Sequence, residues 1–289
     1  MHRLSRNPYP RFVASLAVAL GLAMGGPAQA GLISVDIFTN TTFLQTSSAA
    51  PTTPSSYFFN IGGNFQNPGD FTSASATDPA IGSPQNLPIT GTIFNQSSPS
   101  IASLATFQAD YPFGTYTITA LNSITSASQS GAIGYTVNLF TSAIPALTGA
   151  TYTGLHGLNP SSLFTVNFNS FTPNAGATLG LTFFTIYDAG TGSVVFTDGF
   201  LSPSTTSLVL PANTLQANTL YNFELDFSDR LNGQNMNGIF TTQGFDMRTD
   251  GSFMTAAVPE PGSLTLLLLG LVGVVSWARP YVRERRTRS

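Results

Sequence analysis

Neither cysteine nor lysine occurs anywhere in the 289 residues, and tryptophan occurs once. Without cysteine there is no disulfide framework and no thiolate metal site. Charge is scarce as well, at 8% of residues. Between residues 31 and 258 the only cations are Arg230 and Arg248, set against eleven acids for a net charge of −9. Two scattered arginines cannot neutralise a run of phosphates, so nucleic-acid binding is excluded. The same stretch has a single histidine, His156, and no Gly-x-Ser-x-Gly elbow. No nucleophilic triad or multi-histidine zinc site can be assembled from it. We therefore expect no enzyme activity and no cofactor.

Aromatic residues, by contrast, are plentiful, with 23 Phe and 9 Tyr in the chain. Disordered segments are poor in aromatics, so the hydroxyl- and amide-rich central part is expected to fold. At this length a chain buries enough apolar surface to fold without covalent staples. Its hydrophobic period is two. Tyr116, Ile118 and Ala120 alternate with threonines. Tyr135, Val137 and Leu139 alternate with Thr136 and Asn138, and Phe164, Val166 and Phe168 with Thr165, Asn167 and Asn169. The cleanest run sets Tyr221, Phe223, Leu225 and Phe227 against Asn222, Glu224, Asp226 and Ser228.

Turn signals separate these runs: Asn67-Pro68-Gly69-Asp70, Tyr111-Pro112-Phe113-Gly114, Ala189-Gly190-Thr191-Gly192 and Asn232-Gly233. Residues 45–56 and 72–86, rich in small polar residues and proline, read as long loops. No amphipathic helix of three turns is evident. Many short strands with polar turns predict an all-β protein of one or two immunoglobulin-like sandwich modules. A faint duplication favours two modules, 31–142 and 143–257, joined near Ser142 to Leu147. In each, a tyrosine (Tyr116 or Tyr221) near a strand's start follows a turn, as in a tyrosine corner, and a hairpin leads to a returning strand at Tyr135 to Thr141 or near Gly244 to Thr249.

The carboxylates offer one candidate site. Glu224 and Asp226 share a strand face, Asp229 follows, and Asp246 and Asp250 lie on the next strand. Glu224, Asp226, Asp229 and Asp250 are the candidate calcium ligands. The favoured expectation is a solvated face with Arg230 and Arg248 as counter-charges and no metal, since no Asp-x-Asp-x-Asp-Gly spacing occurs. A carboxylate pair acting as a glycosidase is the remoter alternative. Tyr57, Phe58 and Phe59 could stack on sugars, although an aromatic run in a β protein usually builds core.

The two ends read as targeting signals. Arg3, Arg6 and Arg11 precede an apolar stretch from Phe12 to Met24, and Ala28-Gln29-Ala30 supplies small residues for signal peptidase, with cleavage expected after Ala30. Residues 1–30 are thus expected to be a signal peptide handled by the Sec translocon. At the other end, Val258-Pro259-Glu260-Pro261-Gly262 precedes an uncharged apolar run over 262–278, near the lower limit for a membrane-spanning helix. Residues 279–289 then carry five arginines against one glutamate, the pattern of a stop-transfer cluster that stays cytoplasmic. Everything before Val258 is expected to lie outside the cytoplasm.

This ending, over 258–289, resembles the PEP-CTERM sorting signal of Gram-negative bacteria. Pro259, Glu260 and Pro261, the leucine-rich span, and Arg279, Arg283, Arg285 and Arg286 carry the resemblance. It implies that an exosortase recognises the motif and removes the tail after transient anchoring in the inner membrane. It also implies an exported protein of the envelope, outer surface or medium, accompanying exopolysaccharide and biofilm matrix. A carbohydrate-binding or adhesion module, with calcium dependence if the carboxylates bind it, is the alternative reading.

Overall fold

The computed structural model describes residues 31–79, 82–135, 137–234 and 238–257. The stretch expected as a signal peptide, with Ala28 and Ala30, the motif at Pro259 to Pro261, the apolar run and the arginine tail fall outside the described residues, as does Thr136. Among the described residues, no helix is long and apolar enough to cross a membrane.

Fourteen strands and two short helices make up the described chain. In the first half these are β1 (Leu32–Leu44), β2 (Pro54–Phe65), β3 (Phe71–Thr77), β4 (Pro84–Leu87), β5 (Ile89–Thr90), β6 (Ile93–Ser97), α1 (Leu104–Asp110), β7 (Gly114–Asn122) and β8 (Ser128–Tyr135). In the second are α2 (Gly149–Leu155), β9 (Phe164–Asn167), β10 (Leu179–Asp188), β11 (Val194–Leu201), β12 (Ser207–Leu210), β13 (Leu220–Gln234) and β14 (Phe240–Met254).

One eight-stranded sheet, in the order β11-β10-β13-β14-β1-β2-β6-β5, runs the length of the molecule. Its centre is a parallel pairing of β1 with β14, from Ser34 opposite Phe240 to Leu44 opposite Asp250. The strands alternate along this seam. Val35, Ile37 and Phe43 of β1 and Phe245 of β14 are buried on one face. Asp36, Phe38, Asn40 and Thr42 point to the other.

Two smaller layers cover the inner face side by side. The four-stranded sheet β4-β3-β7-β8 closes over a first core containing Ile37, Phe59, Phe94, Tyr116 and Tyr135. The two-stranded sheet β12-β9, with α2, closes over a second containing Phe43, Val166, Phe184, Phe223 and Phe253. The junction of the two cores falls near residues 140–147, where the tandem-module reading sets its linker. The long sheet nevertheless crosses that junction without a break.

Both expected tyrosine corners have hydrogen-bonded geometry. Tyr116 Oη donates to the Pro112 carbonyl at 3.0 Å. Tyr221 Oη accepts from the Gln216 N–H at 2.8 Å. Each ring is buried at the head of a hairpin, β7–β8 or β13–β14.

Several local expectations are corrected. The strand returning from β7 is Ser128–Tyr135, not Tyr135 to Thr141. Its pairing starts at Leu121 opposite Ser128 and ends at Gly114 opposite Tyr135, so residues beyond Tyr135 have no β7 partner left. The 72–86 segment is no loop: it supplies most of β3 and the start of β4, whose Ala74 and Ala76 pack beside Ala120 and Ile118. Likewise β2 begins at Pro54, inside the other expected loop. Asn232-Gly233 is not a turn but continues the ladder opposite Thr242 and Thr241, and the chain reverses after Gln234.

Candidate functional site

The carboxylates fall on the outer face of the long sheet, opposite the cores. In the β13–β14 ladder Glu224 lies beside Asp250, Asp226 beside Arg248, and Ser228 beside Asp246. Direct partners on a strand share a face, so these six side chains form one polar block. Arg248 occupies its middle, with Nη2 bonded to Glu224 Oε1 and Nε donating to Asp250 Oδ1 at 2.6 Å. Tyr187 of β10 donates its hydroxyl to Glu224 Oε2 at 3.0 Å. Ser228 Oγ donates to Asp246 Oδ1, and Arg230 reaches the same oxygen at 3.5 Å. The Arg230 guanidinium also lies 4.3 Å from the centre of the Phe38 ring, a cation–π contact.

Asp229, the fourth candidate ligand, is elsewhere. Its parity is that of Phe227, so it points to the inner face, fully buried, with Oδ2 accepting from the Asn174 N–H at 3.0 Å. Burial raises its pKa, against the bond from Asn174. Alternation from Phe227 already carried this placement.

The electrostatics of the block follow from partial desolvation. Burial drives the Asp226 carboxyl well above the usual carboxylate range, with Arg248 opposing and Glu224, Asp246 and Asp250 adding to the rise. Asp226 Oδ1 has no hydrogen-bond partner among the described residues. Arg248, drawn on by three carboxylates, is held firmly in its charged form. The guanidinium fills the place a cation would take between Glu224 and Asp250. Among the described residues, no group of three or more His, Asp or Glu side chains is arranged to hold a metal ion.

Asp36 carries a further perturbed carboxyl that the sequence reading overlooks. It is 5% exposed on β1, and burial pushes its pKa up to about 7 although Arg230 draws it down. An acid flanked by Val35 and Ile37 in a long strand was the available signal.

The remaining candidates separate. His156 caps α2, its Nδ1 donating to the Tyr152 carbonyl at 2.8 Å. Phe59 is core, stacked on Tyr111 at 4.4 Å between ring centres. Phe58 lies on the outer face opposite Asn40. Tyr57 turns inward against Phe107, with ring centres 5.8 Å apart.

The comparison that bears on sorting rests on the other end of the chain. Residues 257–279 match the model of the PEP-CTERM protein-sorting motif. The chain carries a PEP-CTERM sorting signal. Such a signal implies processing by an exosortase and an exported protein held transiently in a membrane. No curated protein matches the chain. Among solved structures, the chicken CNTN1 FN1–FN3 domains align at 10% identity and a TM-score of 0.24, over 68% of this chain and 61% of that one. A structure concerning host cell surface retention of a 1.5-MDa bacterial ice-binding adhesin aligns at 13% and 0.22, over 78% and 66%. The chain thus spans less than two thirds of either, and scores this low carry no weight for its fold.

Proposed function

We propose that this PEP-CTERM chain is a non-enzymatic protein of the cell envelope or extracellular matrix of a Gram-negative bacterium. In this reading residues 1–30 direct Sec export and are cut after Ala30. The 262–278 span then anchors the chain in the inner membrane until an exosortase acts at Pro259-Glu260-Pro261. The sorting motif is the observation that carries the proposal. Association with exopolysaccharide and biofilm is what the family resemblance adds. A surface rich in Ser, Thr and Asn and poor in charge suits a hydrated polysaccharide setting. The absence of an enzymatic role is supported by the engagement of the central part's one histidine as a helix cap and of Glu224 and Asp250 in ion pairs with Arg248.

Mechanistically, Pro259 and Pro261 lack N–H donors and fix φ, side-chain chemistry that in this reading favours an extended recognition segment over a helical one. In this reading an exosortase would meet Glu260 at the outer membrane surface, with the arginine cluster expected to stay on the inner side. Replacing Pro259, Glu260 and Pro261 by alanine in a host with an exosortase tests this. Export should persist, and the protein should accumulate as an uncleaved membrane form. Release equal to wild type would make the motif incidental and the span an ordinary anchor.

A further inference from the structure

A cleft of about 530 Å³ opens on the inner side of the long sheet, within the range of about 300–1,000 Å³ usual for small-molecule sites. It sits where the two cores meet. Thr41 and Phe43 of β1 and Met247 of β14 form its floor, α1 and the 111–113 turn form one wall, and residues 138–141 form the other. The junction explains why it exists. The four-stranded layer and the β12-β9 layer cover adjacent parts of one sheet and do not merge above it.

The lining has an unusual composition for so acidic a protein: it includes no Asp, Glu, Lys, Arg or His. Seven of its fifteen residues are aromatic, and seven bear a hydroxyl or amide, three tyrosines counting in both. Phe113, 47% exposed, stands at the mouth with its ring 4.6 Å from that of Tyr135. Tyr111 stacks on Phe59, which fixes its ring as part of the wall. Gln108 is exposed on α1, and its amide has no hydrogen-bond partner among the described residues.

Each ligand class meets this lining differently. An anion finds no cation, and the charges of Asp110 and Asp78 bearing on Tyr111 repel it. A cation finds no carboxylate in the lining to pair with directly, since Asp110 and Asp78 lie outside it. A wholly apolar guest would strip water from the Tyr, Gln, Asn and Thr groups and return no hydrogen bond, at about 1–3 kcal/mol for each group left unpaired. A neutral pyranose satisfies both halves of the lining. Its C–H faces pack on aromatic rings, and its hydroxyls donate to and accept from amides and phenols.

We infer that this cleft binds a neutral glycan, one or more uncharged hexopyranose units held between Phe113 and Tyr111 and hydrogen-bonded by Gln108 and Asn138. The inference deepens the matrix reading above and relies on it only for the source of the glycan. Binding itself is a property of the isolated protein, so its failure leaves the sorting proposal standing.

The test uses the full-length chain in a detergent without a sugar headgroup. Titration calorimetry against cellohexaose and mannohexaose is compared with oligogalacturonate as an acidic control and N-phenyl-1-naphthylamine as an apolar one. At least one neutral hexaose should bind saturably and the two controls should not. Gln108→Ala alters an exposed residue and should keep the wild-type melting temperature, Phe113→Ala loses the ring contact with Tyr135 and should stay folded with a slightly lower one, and each should weaken the hexaose about tenfold, or about 1.4 kcal/mol. No binding of either hexaose, preference for a control, or hexaose binding untouched by both substitutions would overturn the assignment.

Discussion

Gln45 closes a two-pronged hydrogen bond on the backbone of Leu147. Its Oε1 accepts from the Leu147 N–H at 3.0 Å and its Nε2 donates to the Leu147 carbonyl at 3.1 Å. Gln45 is 1% exposed and its own N–H donates to the Asp250 backbone carbonyl at 2.9 Å, extending the β1–β14 pairing. One side chain thus ties the end of the first strand to the point where the second core begins, 102 residues away. This clasp and the unbroken sheet both bridge the two layered halves.

Gln45→Leu should therefore be costly although it preserves volume. It leaves a buried N–H and a buried carbonyl at Leu147 unpaired, for a loss of about 3 kcal/mol. Urea denaturation should show one cooperative transition with a lower midpoint and an unchanged slope. A loss below about 1 kcal/mol would show that water or local relaxation replaces the clasp.

Asp36 gives the fold a pH dependence. Its pKa is raised by burial from 3.8 to about 7, so the folded state keeps a proton that the unfolded chain releases. The stability this group contributes is complete below about pH 4 and is lost as pH rises through about 7. At about 1.4 kcal/mol per pH unit the loss is about 4 kcal/mol. Asp36→Asn should make the fall of melting temperature between pH 4 and 7 shallower, the buried Asp226 and Asp229 supplying the remainder, and raise the profile at pH 8. A wild-type profile that climbs with pH through this window, or an Asn variant that leaves its slope intact, would contradict the assignment.

Arg248 neutralises the block on β13 and β14. Arg248→Met removes the partner of Glu224 and Asp250 and strands three neighbouring carboxylates on a half-buried face. We expect a loss of about 3 kcal/mol at pH 7, in the range for breaking a buried pair. The loss should shrink near pH 4, where the unpaired acids take up protons. In the wild type, millimolar calcium should leave the melting temperature unchanged, because the guanidinium already occupies the gap. A rise of several degrees would mean that calcium binds the folded state preferentially.

How far the sequence announced this arrangement depends on which force fixed each part. β13 was legible because its two faces meet core and water, which writes Tyr221, Phe223, Leu225 and Phe227 against polar neighbours. β3 and β8 escaped notice for the opposite reason. The buried positions of β3 include Ala74 and Ala76, and those of β8 begin with Gly131 and become bulky only at Ile133 and Tyr135, so neither strand shows a long bulky alternation. The parallel seam of β1 with β14 joins residues about 200 positions apart, and period-two patterning fixes a strand's face but not its partner. The acidic block was recognisable as a cluster, since adjacent strands of a hairpin pair locally. The cleft was not, because its walls come from α1, a turn and a linker that only the layered packing brings together.

The central claim, that this is an exported protein matured at a PEP-CTERM signal, is tested most directly by the intact mass of the protein recovered from its native envelope or medium. The account predicts a species that begins at Gly31 and lacks the arginine tail over 279–289. A mature protein that retains that tail in cells containing an active exosortase would contradict it.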